Sequence, residues 1–149
     1  MRLFLDANVL FSAVLSPEGA ASNLFAFAGA GACELVTSAL VVAEATRNLR
    51  AKASEALDRG ERLIALVGIV VEADARLVGR MAVALPAGDR PVLAAALGCR
   101  ATVLVTGDRR HFGSLFGRHF GGTVVLSPRE ALALVIEASG DSRSGSQPR

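Results

Sequence analysis

The sequence predicts an α/β domain whose sheet is mostly parallel and covered by helices on both faces. Short apolar runs alternate along nearly the whole chain with longer stretches of helical spacing, and this order of elements is typical of α/β proteins. The short runs are apolar throughout, as expected for parallel strands that are buried on both faces. The length of 149 residues suits one domain, which at this size buries roughly 70% of the surface that its unfolded chain exposes.

The strand candidates are apolar runs that are too short for helices and rich in β-branched or large aliphatic residues. Five such runs occur, at Leu3–Leu5, Glu34–Val36, Ile69–Val71, Val103–Val105 and Thr123–Leu126. They predict a central sheet of five strands.

The helix candidates lie between and after these runs, and three of them begin with recognisable signals. Ser38 and Asp74 stand where an N-cap is expected. Ser127 precedes Pro128 and is followed three residues later by Glu130, which is the pattern of a capping box. The predicted helices are Ala20–Ala28, Ala39–Asn48, Ser54–Leu66, Ala75–Ala84, Pro91–Leu97 and Pro128–Glu137.

The chain shows no internal repeat and no linker that would divide it, so residues 1–138 are predicted to form one domain. Residues 139–149 read SGDSRSGSQPR. Because this stretch contains no large apolar residue, it is predicted to be a disordered tail.

Charge and cysteine usage narrow the class of protein. The net charge is only +2, which by itself does not imply nucleic acid. Fifteen of the sixteen basic residues are Arg, a bias that genome composition can produce. Arg can nevertheless bind phosphate through two hydrogen bonds at once, so a local cluster of Arg would indicate a phosphate-binding surface. Cys33 and Cys99 form no CxxC pair, the first residues do not have the pattern of a signal peptide, and no apolar run reaches the length of a membrane span. We expect reduced thiols and a cytoplasmic protein.

Four acidic residues fall where a ligand site is expected. Asp6 directly follows the first predicted strand, and Asp108 follows the fourth in VLVTGD. Ligands of parallel sheets bind outside the carboxyl ends of the strands. Glu44 lies on a largely apolar helical stripe beside Asn48, and Asp89 lies at the entry to an apolar helix, where a merely solvating carboxylate is not expected.

Each acid alone also has a structural explanation. Asp6 and Asp89 can cap helices, Asp108 can stabilise a turn after Gly107, and Glu44 can pair with Arg47 or Arg50. These explanations become hard to maintain for all four acids together. If the acids converge, each pair about 5 Å apart repels by roughly 3 kcal/mol at an effective dielectric constant near 20. Such a cluster binds protons or a hard cation, and oxygen ligands favour Mg²⁺ or Mn²⁺ over Zn²⁺.

Several residues near these acids are candidates for supporting roles. Asn8 and Thr106 can orient a carboxylate or hold water at the metal, although Asn8 can equally cap a helix. Arg90, Arg109 and Arg110 follow the acids directly and can bind an RNA backbone. Phe11, Phe112 and Phe116 are candidates for stacking against RNA bases, but we expect them to pack in the core. His111 can protonate a leaving group, but a lone histidine after a turn is expected to be a surface residue.

The motif series FLDANVLFSAVL, AEATRNL, GDRPVLAAAL and LVTGDRRHF resembles the ordered motifs of PIN-domain ribonucleases, in particular the toxins of VapBC-type toxin–antitoxin pairs. The resemblance covers residues 3 to about 130. It implies a three-layer α/β/α sandwich and Mg²⁺- or Mn²⁺-dependent cleavage of RNA. It also implies a homodimer, an antitoxin partner and growth arrest by the free toxin.

Carried over by motif, the acidic catalytic and metal-binding site comprises Asp6, Glu44, Asp89 and Asp108, with Asn8 and Thr106 in support. Many relatives carry an extra acid near the third or fourth motif, where this chain has Arg90 and Gly107. The number of metal ions, one or two, therefore stays open.

Two other functions compete with the nuclease. One is a PIN-like scaffold that binds RNA or protein without catalysis, for which loss of an acid would be the sign; all four acids are present. The other is a phosphatase of the haloacid dehalogenase type, which the start FLDANVLF also resembles. Asn8 occupies the position of the second acid in that family, so the general acid of such a phosphatase is missing.

Overall fold

The computed structural model describes residues 1–81 and 85–144. The strands are β1 (Arg2–Leu5), β2 (Glu34–Ser38), β3 (Gly68–Val70), β4 (Val103–Val105), β5 (His119–Phe120) and β6 (Thr123–Leu126). The helices are α1 (Ala7–Leu15), α2 (Ala20–Gly29), α3 (Ala39–Lys52), α4 (Leu57–Ile64), α5 (Ala75–Arg80), α6 (Arg90–Gly98), α7 (Arg109–Phe112) and α8 (Pro128–Ser144).

The sheet has the strand order β3-β2-β1-β4-β6-β5, and all its strands are parallel except β5. β1 lies in the middle, where Leu3 pairs with Leu35 on one side and with Val103 on the other. The side chains of Leu3, Phe4 and Leu5 are fully buried. These apolar strands are hidden on both faces, and the predicted α/β fold with a central, mostly parallel sheet is confirmed.

The helices divide between the two faces of the sheet. Connections that run from β1 to β2 and on to β3 move in one direction across the sheet, whereas the connection through α5 and α6 returns from β3 to β4. Because β-α-β crossovers are right-handed, the two directions place their helices on opposite faces. The core contains many small residues, including the fully buried Ala94, Ala95 and Ala96 of α6.

The predicted helix starts are observed as caps. The Asp74 carboxylate accepts a hydrogen bond from the Leu77 backbone N at 2.8 Å, and the Ser38 hydroxyl accepts one from Val41 N at 3.4 Å. At the start of α8, Glu130 N donates to Ser127 Oγ at 3.2 Å, and Ser127 Oγ donates to Glu130 Oε1 at 2.8 Å. The capping box predicted from the sequence is therefore present.

The sheet has six strands in the described residues, one more than predicted. The additional strand β5 is only two residues long and pairs antiparallel with β6, which is too short to leave a hydrophobic pattern. The region predicted as one helix at Ser54–Leu66 is a 3₁₀ turn at Ser54–Ala56 followed by α4.

Helices α1 and α7 are absent from the sequence-based prediction. The segment of α1 continues the apolar run of β1, so its sequence does not mark where the strand ends; α7 spans a single turn.

The last helix continues to Ser144, past residue 138, where the domain was predicted to end. The Ser142 hydroxyl donates to the Ala138 carbonyl at 3.0 Å, and an established helix adds a backbone hydrogen bond with each further residue. Residues 139–144 are therefore helical despite their polar sequence. Residues 145–149 of the predicted tail lie outside the described residues, as do residues 82–84 of the helix predicted at Ala75–Ala84.

Cys33 and Cys99 are both free and partly buried. Their burial raises the pKa of both thiols. In the part of the chain that is described, no helix combines the length and apolar character needed to cross a bilayer.

Candidate active site at the carboxyl edge of the sheet

The four predicted acids line one cleft of about 370 Å³ where β1 and β4 end. Asp6 N donates to the Val105 carbonyl of β4 at 3.0 Å, and Thr106 N donates to the Leu126 carbonyl of β6 at 3.0 Å. The first bond places the residue that follows β1 beside the end of β4, and the second joins the residue that follows β4 to the end of β6. Glu44 enters from α3 and Asp89 from the start of α6.

Asp6 is the buried member of the group, with only 5% of its surface exposed. Its Oδ1 accepts a hydrogen bond from Ala7 N at 2.8 Å. Its Oδ2 accepts from Thr106 Oγ1 at 2.8 Å and from Asn8 Nδ2 at 3.0 Å. Burial raises the pKa of the Asp6 carboxyl to about 6; the hydrogen bonds from Thr106 and Ala7 oppose the rise, and the charges of Glu44 and Asp89 add to it.

Thr106 and Asn8 join the ends of β1 and β4 through a short hydrogen-bond network. Besides donating to Asp6, Thr106 Oγ1 accepts from Asp108 N at 3.1 Å and lies 3.3 Å from Asn8 Nδ2. Asn8 Oδ1 accepts from Gly107 N at 2.7 Å. A Cβ at residue 107 would lie only 3.2 Å from Asn8 Oδ1, so glycine permits this close approach. The network fixes the orientation of the Asp6 carboxylate.

Asp108 has a structural role as well as a place in the cleft. Its Oδ1 accepts hydrogen bonds from Arg110 N at 3.1 Å and from His111 N at 3.0 Å, and thereby caps α7. The turn-stabilising role that the sequence allows for Asp108 is therefore observed, but it accounts for Oδ1 only. Oδ2 lies 3.0 Å from His111 Nδ1.

Asp89 stands at the N-terminus of α6, but its side chain makes no capping hydrogen bond there. Its Oδ2 lies 3.1 Å from His111 Nδ1. Burial raises the pKa of the Asp89 carboxyl, the nearby His111 lowers it, and Asp108 raises it again. Capping therefore does not explain why an acid occupies this position.

Glu44 is exposed on α3 and lines the cleft. In the described ranges it forms no ion pair with Arg47 or Arg50 within 4.0 Å. The pairing that the sequence allows is thus not observed, and the charge of Glu44 acts on Asp6 instead.

Two residues that line the cleft were not predicted as site residues, and His111 was considered but not assigned a role. Ser12 and Asn48 line the cleft, each one helical turn beyond a predicted site residue: Ser12 follows Asn8 on α1, and Asn48 follows Glu44 on α3. This i, i+4 spacing was a signal that could have found them. His111 was expected at the surface; its side chain is 42% exposed, yet Nδ1 lies between two carboxylates. A lone histidine gives no such signal.

The three arginines predicted at the rim differ in what they contact. Arg90 Nε donates to the Leu85 carbonyl at 2.8 Å. Arg109 lies over the Phe116 ring at 4.7 Å and within 3.9 Å of Glu130. Arg110 is exposed. Of the three, Arg110 is the one whose guanidinium makes no hydrogen bond, ion pair or ring contact among the described residues.

The phenylalanines near the site differ in burial. Phe112 is fully buried, whereas Phe11 and Phe116 are partly buried. Lys52 lies over the Phe11 ring at 5.9 Å, and Arg109 lies over that of Phe116. The expected core role therefore holds fully for Phe112 only.

The donor set of the cleft fits a divalent cation. The ligand atoms offered by Asp89, Asp108 and His111 all lie within 4.8 Å of one another. Asp89 and Asp108 keep partial solvent exposure, at 21% and 25% of their side chains, so their oxygens are reachable. Carboxylate oxygens are the ligands that Mg²⁺ and Mn²⁺ take in proteins. The residues present therefore suit a metal site, and Asp6 and Glu44 line the same cleft.

Several solved structures share the fold of this chain. Solved structures similar to this chain include VapBC2 from Rickettsia felis bound to a DNA fragment from their promoter (16% identity, TM-score 0.63, 85% of this chain and 98% of that chain). They also include PAE2754 from Pyrobaculum aerophilum (18%, 0.66, 92% and 99%) and VapBC-1 from nontypeable Haemophilus influenzae (16%, 0.60, 87% and 99%). At these identities the likeness concerns the fold alone.

A search of curated proteins finds no match to this chain. A protein-family model described as the PIN domain matches residues 2–110. This range contains all four acids of the cleft and the strands that position two of them. The chain therefore belongs to the PIN domain family.

Proposed function

We propose that this protein is a Mg²⁺- or Mn²⁺-dependent endoribonuclease and the toxin of a toxin–antitoxin pair. PIN domains are generally nucleases. The observation that carries the proposal is the convergence of Asp6, Glu44, Asp89 and Asp108 on one cleft. Four carboxylates at close range repel one another, and a bound divalent cation offsets that repulsion.

The residues of the cleft would have different roles in such a site. Asp89 and Asp108 would hold the metal through their partly exposed carboxylates, and Asp6 lines the same cleft with a carboxylate that Thr106 and Asn8 hold in place. A bound Mg²⁺ or Mn²⁺ supplies charge compensation at the scissile phosphate and lowers the pKa of an attacking water. Because Thr106 and Asn8 already hold the Asp6 carboxylate in place, this group needs no rearrangement when charge develops in the transition state.

The arginines at the rim suit a phosphate-bearing substrate. Arg110 is exposed two residues after Asp108, and Arg90 and Arg109 directly follow Asp89 and Asp108 in the chain. Arginine contacts to phosphate weaken as salt concentration rises. The proposed assignment of these three residues is RNA binding, with Arg110 the most available.

The toxin assignment rests on the resemblance of the motif series to VapBC-type toxins and is supported by similar structures that are VapBC assemblies. On this proposal the protein acts in the cytoplasm as a homodimer, an antitoxin partner inhibits it, and its release arrests growth.

The proposal is tested by incubating the purified protein with end-labelled RNA in Mg²⁺, in Mn²⁺ and in EDTA. We expect internal cleavage with either metal and none in EDTA, with activity restored by excess Mn²⁺. The control is Asp108→Asn purified in parallel, because asparagine caps a helix as well as aspartate does and the variant keeps α7. Cleavage that persists in EDTA or in this variant would contradict the proposal. Binding of RNA with no cleavage would favour the non-catalytic scaffold.

A further inference from the structure

The His111 side chain lies beside Asp89 and Asp108, two of the residues that line the cleft, and two contacts fix the backbone around it. Its backbone N donates to Asp108 Oδ1 at 3.0 Å, as part of the cap of α7. The next residue, Phe112, is fully buried in the core. The backbone at residue 111 is therefore anchored, which places the imidazole beside the two carboxylates.

The Nδ1 atom of His111 lies at nearly the same distance from two carboxylate oxygens, which belong to residues at the starts of different helices. It lies 3.1 Å from Asp89 Oδ2 at the start of α6 and 3.0 Å from Asp108 Oδ2 at the start of α7. Adjacent ligands of an octahedral ion lie roughly 3.0 Å apart when the metal–ligand distances are about 2.1 Å. The nitrogen thus has the spacing from each oxygen that two adjacent ligands of such an ion have, and all three atoms lie within 4.8 Å of one another.

We propose that His111 Nδ1 is a nitrogen ligand of the metal, so that the site takes a divalent transition ion such as Mn²⁺ in preference to Mg²⁺. The inference rests on the proposed function, because it names the ion used by the same site. Mg²⁺ binds oxygen ligands and keeps its waters, whereas an imidazole ligand favours the divalent transition ions, of which Mn²⁺ is a paramagnetic member whose ligands can be detected. Ligation uses the Nδ1 lone pair, and the neutral ring then carries its proton on Nε2.

The chain makes nitrogen ligation directly measurable because it contains only two histidines, His111 and His119. His119 lies in β5, at the outer edge of the sheet. Electron spin echo modulation of bound Mn²⁺ detects directly coordinated nitrogen and distinguishes ¹⁴N from ¹⁵N. The experiment compares natural-abundance and ¹⁵N-histidine protein for the parent chain, His111→Gln and the matched control His119→Gln.

We expect nitrogen modulation that changes with ¹⁵N-histidine in the parent chain and in His119→Gln, and none in His111→Gln. Calorimetric titration of the same proteins should show a Kd for Mn²⁺ that rises by about tenfold or more in His111→Gln. The Kd for Mg²⁺ should change by less than about threefold. The ratio of the two constants is the measure of selectivity.

Three outcomes would overturn the proposal. The first is Mn²⁺ binding with no histidine modulation, which removes His111 as a ligand and leaves the carboxylate metal site intact. The second is tighter binding of both metals in His111→Gln, which would identify His111 as a competitor of the metal for the two carboxylates. The third is absence of Mn²⁺ binding to the parent chain, which contradicts the metal site itself and with it the proposed function.

Discussion

Replacing Asp89 by asparagine is expected to reduce RNA cleavage by at least about 10³-fold, which corresponds to about 4 kcal/mol in the activation free energy. The amide has nearly the same shape but lacks the charge that holds a divalent cation. The Asp89 side chain makes no capping hydrogen bond and is 21% exposed, so its substitution should cost little folding stability. The measurement is the initial rate of cleavage of end-labelled RNA at saturating Mn²⁺.

Asp74→Asn is the matched control for this variant. Asp74 also stands at the N-terminus of a helix, where its carboxylate accepts a hydrogen bond from Leu77 N at 2.8 Å, but it does not line the cleft. Because asparagine caps as well as aspartate, this variant should cleave RNA at the parental rate. If Asp89→Asn kept a tenth or more of the parental rate, Asp89 would not belong to the catalytic site.

Replacing Phe112 by alanine is expected to lower the free energy of unfolding by about 3–5 kcal/mol. The ring is fully buried, and its removal leaves a cavity beneath α7, the helix that Asp108 caps. Urea denaturation of the purified variant measures the loss. Phe112→Leu should retain most of the stability because a large apolar side chain still fills the space.

Phe116→Ala provides the matched comparison, since Phe116 is only partly buried and lies under the guanidinium of Arg109. It should cost clearly less than Phe112→Ala. A loss below about 1 kcal/mol in Phe112→Ala would show that this ring does not anchor α7 to the core.

The sheet and the position of two acids could be predicted because both follow from local pattern. Apolar runs mark β1 and β4, and the topology of parallel strands brings Asp6 and Asp108, which directly follow them, to the same edge. Asp89 and Glu44 lie on helices, so their approach to that edge depends on how α6 and α3 pack. Spacing along the chain does not contain that information, and the motif series supplied it through the resemblance to a family.

Most features that the sequence did not predict are short or depend on tertiary contacts; α1 is the exception, because its apolar sequence continues that of β1. The two-residue strand β5 and the single-turn helix α7 are too brief for a periodic pattern. His111 is a single polar residue after a turn. Its place between Asp89 and Asp108 results from the cap of α7 and the burial of Phe112, neither of which can be read before the fold is known.

The central claim, that the carboxylates of this cleft bind a divalent metal, is tested most directly by calorimetric titration of the purified protein with Mn²⁺. Two variants, Asp89→Asn and Asp108→Asn, remove one carboxylate each and should preserve the fold. We predict saturable binding to the parent chain and a loss of at least about tenfold in affinity in each variant. Failure of the parent chain to bind Mn²⁺, or binding that is unchanged in both variants, would contradict the account.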